Sequence, residues 1–379
     1  MAQREPYGSS KGFERLGRID IPGGGQVVVQ GDYAYVGHLE PPHGTSIVDV
    51  SDPRNLKVVS HLSVPEGTHS HKVRVHGDVM LVNYERYGGP AQDGFQGGLK
   101  IFDVGDKARP REIGFYRAAG SGVHRFDFDG DYAYFSPQVE GYVGNIVMIL
   151  DLNDPTRPEE VSRWWMPGQW TAGGETPTWQ GVRHRCHHPL RLGDRLYTSY
   201  WHGGFVILDI SDMTRPRRVG GLDWSPPYPC PTHTALPIPQ TIQGRRLLVV
   251  TDEEVVDRLT PAPNAFMWIV DITEETRPVP IATFRVPNDE PFNPDEWFGS
   301  HQPQEQVQGN TIFVTWFAGG LRAVDISDPW GPREIGYYMP EPGQGESIVQ
   351  SNDVFLDRTN GRLYLLDRLA GLDILEFSG

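Results

Sequence analysis

The sequence predicts an all-β fold, a seven-bladed β-propeller of four-stranded antiparallel blades. Three observations predict it. One apolar phrase ending in an acidic turn recurs seven times along the 379 residues. A hairpin with a Gly-containing turn precedes each copy, and a fourth strand, usually introduced by proline, follows six of them. The last copy has no strand after it, and the missing one is found at the other end of the chain. With 44 Gly and 33 Pro the chain has the turn residues that such a fold requires.

The elements follow in order. "FERLGRIDIP", Phe13–Pro22, has the character of an outer strand but stands before the first hairpin. The hairpin "VVVQGDYAYVG" then leads into the first copy of the phrase, "SIVDVSDP" at Ser46. The later copies are "LKIFDVGD" at Leu99, "VMILDLNDP" at Val147, "FVILDISD" at Phe205, "MWIVDITE" at Met267, "LRAVDISDP" at Leu321 and "LDILEFSG" at Leu372. Hairpins of the same kind include "VRVHGDVMLVN", "FDFDGDYAYFS", "LRLGDRLYTSY" and "VQGNTIFVTWF". Fourth strands read "RPREIGFY", "RPEEVSRWW", "RPRRVGGLDW", "RPVPIATFRVP" and "GPREIGYYMP". The unit is thus four antiparallel strands, repeated about every 50 residues, the signature of radially arranged sheets. Phe13–Pro22 is expected to complete the seventh blade, which leaves no large sheet edge unpaired. Residues 1–379 are expected to form a single domain.

The recurrent phrase resembles the LVIVD repeat, a family of bacterial and archaeal propeller repeats. The resemblance implies the fold. It implies little chemistry, because propellers host many unrelated functions.

Composition narrows the function. The formal net charge is −15, which argues against nucleic acid as the main partner. No run of 18 apolar residues is present, so no spanning helix is expected. The opening residues have no apolar stretch of the secretory type, and a cytoplasmic location is expected. Cys186 and Cys230 do not make a disulfide framework and are read as two thiols. P-loop, dinucleotide-binding and serine-elbow motifs are absent.

The turns joining strands one to two and three to four are short, whereas the opposite face carries the long insertions. These run over Tyr84–Gly98, Met166–Cys186, Asp223–Thr232, Asp252–Ala265 and Val286–Ser300. Long loops on one side of a rigid scaffold usually carry function. They bring Trp170, Trp179, Trp224, Phe292 and Trp297 as walls for a small-molecule pocket.

Innermost strands of a propeller begin on that face and converge there. Aligned on their hairpins, the strand starts of blades two to six are His71, His124, His187, His233 and His301. Blade seven has Asn352 and blade one has Gly25. With 13 His in the chain, five of seven is far above chance. Converging imidazoles suit a transition metal, and at least three of the five are expected to hold one. His187 and His188 are adjacent, and register favours His187. Fe is the favoured ion, with Cu, Mn or Zn as alternatives; Mg and Ca prefer oxygen ligands.

Other residues are weaker candidates. His69 precedes His71 by two positions. Glu85 and Glu253 follow second strands and could orient a ligand or act as acid or base, as could His184. Glu140, Asp252 and Glu254 share that placement. Arg125, Arg183, Arg185, Trp179 and His202 are candidates for substrate contact. His38, His43, His61 and His76 show no convergent placement and are read as surface or loop residues. The metal site is similar in architecture to those of carotenoid-cleavage oxygenases, selenium-binding-protein-like propellers and oligogalacturonate lyases. The expected function is a metal-dependent enzyme, an oxidoreductase acting on a small organic, aromatic or carboxylated substrate. The alternatives are an Mn- or Zn-dependent lyase or isomerase, and a non-catalytic interaction propeller. The pattern does not specify an oligomeric state.

Overall fold

A computed structural model describes residues 5–86, 88–89, 94–179, 182–255, 263–287 and 296–379. Its strands form seven antiparallel sheets, the blades of a β-propeller. Thr171–Gly173 is the one helical turn among the described residues.

The acidic turns explain why the phrase repeats. In "DVSDP"-type segments the first Asp accepts the backbone N–H two residues on, as in Asp103 to Gly105 (2.9 Å), Asp209 to Ser211 (2.9 Å) and Asp325 to Ser327 (2.8 Å). The second Asp does the same, as in Asp154 to Thr156 and Asp212 to Thr214, both 3.0 Å. Two Asx turns in succession carry the chain from third strand to fourth without an orphaned donor.

The outer strands carry a second repeated device. An ideal Cβ on Gly114 would lie 2.4 Å from the Pro155 carbonyl oxygen, and one on Gly17 would lie 1.7 Å from that of Pro53. Only glycine lets the turn of the following blade come so close. Blade three has Ser162 at this place, and its hydroxyl donates to the Met213 carbonyl at 2.6 Å.

The chain forms two compact units. One comprises residues 28–49 and 57–224, hence blades two to four and most of blade one. Its apolar layers include Leu81, Leu99, Phe126, Phe135 and Met148 between blades two and three, then Val147, Ile149, Leu196 and Val206 between blades three and four. The other comprises residues 1–27, 50–56 and 225–379, hence blades five to seven with the N-terminal segment. Phe313, Leu321, Val354, Leu365 and Leu375 form a core there, with Phe13 buried among them.

Phe13–Ile19 pairs with Leu372–Phe377 from Phe13↔Phe377 to Ile19↔Leu372, so blade seven is completed as the sequence predicts. The ladder stops at Ile19, short of the expected Pro22. A shorter segment, Ser10–Lys11, adds to the outer strand of blade six through Ser10↔Tyr338 and Lys11↔Tyr337, which the repeat pattern does not foreshadow. The expected inner strand of blade six is reduced to a Pro303↔Val314 bridge and backbone bonds such as His301 N–H to the Thr315 carbonyl. Pro303 itself has no N–H to give to a ladder.

Candidate metal-binding groups

The innermost strands are not regular where the histidines sit. Pairing shifts by one residue between Cys186 and His188, so His187 is an extra residue bulged out of the ladder. The same shift places His233 between Thr232 and Thr234, and Asn352 between Ser351 and Asp353. In blade three it falls between Val123 and Phe126, around His124 and Arg125. In blade two the inner strand breaks into Thr68–His69 and Val73–His76, with His71 in the gap. Bulges re-aim side chains, and here they release one residue per blade from strict alternation.

In the unit of blades two to four, the Glu85 carboxylate lies 2.7 Å from His124 Nδ1. His124 Nε2 lies 2.9 Å from His187 Nε2. The His71 and His124 ring centroids are 5.1 Å apart, and those of His124 and His187 are 4.7 Å apart. His69 donates from Nδ1 to the Leu39 carbonyl at 2.6 Å and stacks on His71. His69, His71 and Glu85 each offer a ligand atom, all within 4.8 Å of one another. Asn83 Nδ2 lies 3.4 Å from His71 Nδ1 and donates to the Val123 carbonyl.

Burial sets the protonation of this group. It holds His71 and His124 well below the ordinary imidazole range, reinforced at His71 by His69 and Lys72 and at His124 by Arg185 and Lys72. Burial also pushes Glu85 up to about 7, against the opposing pull of His69, Arg185 and Lys72. Neutral imidazoles are the ligating form. A carbonyl only accepts, so His69 carries its proton on Nδ1 and presents a lone pair at Nε2. An ionised Glu85 imposes the same tautomer on His124. The lone pair of His124 Nε2 then faces His187 Nε2. Two imidazole nitrogens bound to one ion at about 2.0–2.1 Å lie roughly 3.0–3.4 Å apart, close to the separation found.

Arg185 stacks over Trp201, its guanidinium carbon 3.7 Å from a ring centroid, and Trp201 stacks on His187 at 5.5 Å. Arg125 is buried within the blade, whereas Arg183 is exposed. His184 lies against Trp179 at 4.9 Å, nearly parallel, with Nδ1 3.1 Å from the Met166 sulfur. Burial lowers the pKa of His184. His202 is buried at a left-handed position, φ 52°. Trp170 packs with Tyr142 and Trp165. A cleft of about 340 Å³ in this unit is lined by Thr68, Tyr84, Phe95, Lys100 and Phe115 among others. Strand alternation puts Thr68 and Tyr84 on the opposite face from their neighbours His69 and Glu85.

The unit of blades five to seven carries a second group. Glu253 lies 3.9 Å from His233 Nε2 and 3.5 Å from His301 Nε2, and the two rings are 4.0 Å apart. Thr234 donates its hydroxyl to Gln302 and so accepts at 2.9 Å from His233 Nδ1. His301 Nδ1 donates to the Asn352 carbonyl. Both Nε2 lone pairs are therefore turned toward a carboxylate, an arrangement that a cation relieves. Arg368 reaches Glu253 at 3.4 Å and lies over Trp297 and Phe317. The neighbouring acids are engaged elsewhere: Asp252 accepts from the Trp268 indole, and Glu254 accepts from the Ala265 N–H. Glu140 is exposed. Trp224 is buried beside Phe205, and Phe292 lies outside the described residues.

Sequence reasoning undervalued His69 and missed Lys72, Trp201 and Arg368. His69 pairs directly with Glu85, so the antiparallel register is the signal that finds it. Cys186 and Cys230 are both buried, and neither is in a disulfide.

One reading is corrected. His38, His43 and His61 are not scattered surface residues; they converge within blade one. His38 closes the second strand, His43 opens the third, and His61 stands opposite Ser46 in the fourth. Cross-strand pairing brings together residues that linear spacing separates.

Comparison with known proteins agrees with this architecture. A family model for the LVIVD repeat matches residues 24–63, 192–223 and 306–340. No curated protein matches the sequence. Among solved structures, the computationally designed Ika8 protein superposes with a TM-score of 0.53 at 7% identity, over 96% of this chain and 99% of that one. The C-terminal WD40 domain of Sif2 gives 0.56 at 10% identity, over 97% and 99%. Raptor from Chaetomium thermophilum gives 0.58 at 13% identity, over 96% of this chain and 29% of its own. At such identities the likeness is one of fold. LVIVD repeats in a seven-bladed propeller describe the chain, and no helix among its described residues is long and apolar enough to cross a membrane.

Proposed function

We propose that this propeller of LVIVD repeats is a metal-dependent enzyme whose transition ion is held by imidazoles at the bulged starts of its inner strands. The reading rests above all on His124, which has Glu85 on Nδ1 and His187 Nε2 facing its Nε2 at 2.9 Å. His69, His71, His124 and His187 would hold the ion, with Glu85 fixing the tautomer of His124. An all-imidazole set suits Fe first, then Cu, Mn or Zn, and such an ion supplies Lewis acidity or, for Fe and Cu, electron transfer.

The chain's own residues then bind and orient a small organic substrate. The Arg185 guanidinium, held flat on Trp201, anchors a carboxylate, and the indole offers apolar surface. Oxidoreductase chemistry is the favoured class. A lyase or isomerase is the second reading, favoured by a Glu85 carboxyl near pH 7 that is poised to move a proton within reach of the same guanidinium. The net charge of −15 favours a small molecule over nucleic acid, and two cysteines outside any disulfide fit a cytoplasmic setting.

Elemental analysis of protein purified without an affinity tag and dialysed against a weak chelator tests the reading. One equivalent of a first-row transition metal is expected, lost in the His124→Ala/His187→Ala double variant while circular dichroism stays unchanged. A double variant that retains the metal refutes it.

A further inference from the structure

We propose a second, surface metal site on blade one, in which His43 and His61 ligate a Cu²⁺, Ni²⁺ or Zn²⁺ ion and Ser46 with His38 orients them. The site lies outside the groups described above and is independent of the enzymatic reading.

His43 Nδ1 and His61 Nε2 are 3.2 Å apart. Adjacent imidazole nitrogens on one ion, each at about 2.0–2.1 Å, are separated by roughly 3.0–3.4 Å. The two ring centroids lie 5.2 Å apart, inclined at 66°. The rings therefore stand as neighbouring ligands of one centre do, and only small side-chain rotations are needed to turn both lone pairs onto it.

The residues behind them complete the case. Ser46 Oγ lies 2.9 Å from His61 Nδ1 and 2.8 Å from His38 Nε2. A hydroxyl can accept from one partner and donate to the other. With Ser46 accepting the Nδ1 proton of His61 and giving its own to His38, the His61 lone pair is set at Nε2, facing His43. Ligating histidines usually hand their second ring N–H to such a partner. Ser46 and His38 are buried and held by the sheet, His43 is half-buried and His61 is exposed. The anchor is therefore rigid while the ligating edge is open to solvent, where water fills the remaining positions. Imidazole pairs prefer Cu²⁺, Ni²⁺ and Zn²⁺ over Mg²⁺ and Ca²⁺.

The test is titration of the full-length, untagged protein with Cu²⁺, followed by calorimetry and by electron paramagnetic resonance. Beyond what the imidazoles of blades two to six take up, wild type should bind one further equivalent at micromolar Cu²⁺, with a two-nitrogen equatorial signature. His61→Ala and His43→Ala should each weaken that equivalent by at least about 100-fold. Ser46→Ala should weaken it by about 10-fold, as losses of such supporting groups do. Binding to the imidazoles of blades two to six should be unchanged in all three, and is monitored by the His124→Ala/His187→Ala background. If His61→Ala and His43→Ala take up Cu²⁺ as wild type does, or wild type binds only at millimolar concentration, the proposal is overturned.

Discussion

Replacing Phe13 with alanine tests how the N-terminal strand completes its unit. Phe13 is 8% exposed and sits 4.7 Å from Phe377, 6.0 Å from Phe313 and 6.5 Å from Tyr338, measured between ring centroids. A buried Phe→Ala substitution costs about 3–5 kcal/mol, and the edge-to-face pair with Phe313 places Phe13 toward the upper end of that range. Phe13→Ala should therefore cost about 5 kcal/mol. That is a large part of the total stability of a folded domain, about 5–15 kcal/mol. Deleting residues 1–19 goes further, because it also removes the ladder to Leu372–Phe377 and leaves that strand as a bare edge. The assay is urea unfolding followed by tryptophan fluorescence, with light scattering to record aggregation. Val279→Ala, at a side chain that is 53% exposed, is the control and should leave the midpoint in place. A Phe13→Ala midpoint within the scatter of the control, or a deletion variant that stays soluble and unfolds as wild type does, refutes the reasoning.

Two further outcomes follow from the same packing. Gly114→Val should destabilise by about 1–3 kcal/mol, because a Cβ there meets the Pro155 carbonyl oxygen at 2.4 Å and Ile101 Cδ1 at 3.2 Å; thermal unfolding reads the loss. Asp373 is pushed up to about 6 by burial, against the pull of Arg18 and Arg15. The folded state therefore keeps a proton that the unfolded chain releases near pH 4, and stability falls as pH rises from about 4 to about 6. The loss is at most roughly 3 kcal/mol and persists above pH 6. Asp373→Asn should be more stable than wild type at pH 8 and equal to it at pH 4, and equal melting curves at both values would contradict the linkage.

The blades are legible in the sequence because their turns are chemical. An Asp that caps its own backbone two residues on recurs where a third strand turns into a fourth, as at Asp103, Asp209 and Asp325, and glycines such as Gly17 and Gly114 admit the next turn in several blades. The strand-start histidines are legible for the same reason, as an offset from a hairpin in each blade that carries one. The bulges are not. Whether His187 or His188 leaves the ladder depends on how Cys186 pairs with Tyr200, and pairing is not written in one strand alone. Blade six shows the limit from the other side. Pro303 is visible in the sequence, yet the extra Ser10–Lys11 pairing is a long-range contact with no local mark. The blade-one histidines stayed hidden because their meeting needs the Ser46↔His61 register, although the antiparallel order of that blade implies it.

A bulged residue stands outside the regular register of the ladder, so the backbone bonds of the sheet depend little on which side chain it carries. His187, His233 and Asn352 occupy that same place in three blades. The bulge is thus a recurrent socket, built in the same way within each of these blades. A donor can be exchanged there for a carboxamide, a thiol or a carboxylate without disturbing the ladder of its own blade. Side chains at these positions can change socket by socket while the sheet stands still, and folds that tolerate such changes host unrelated functions.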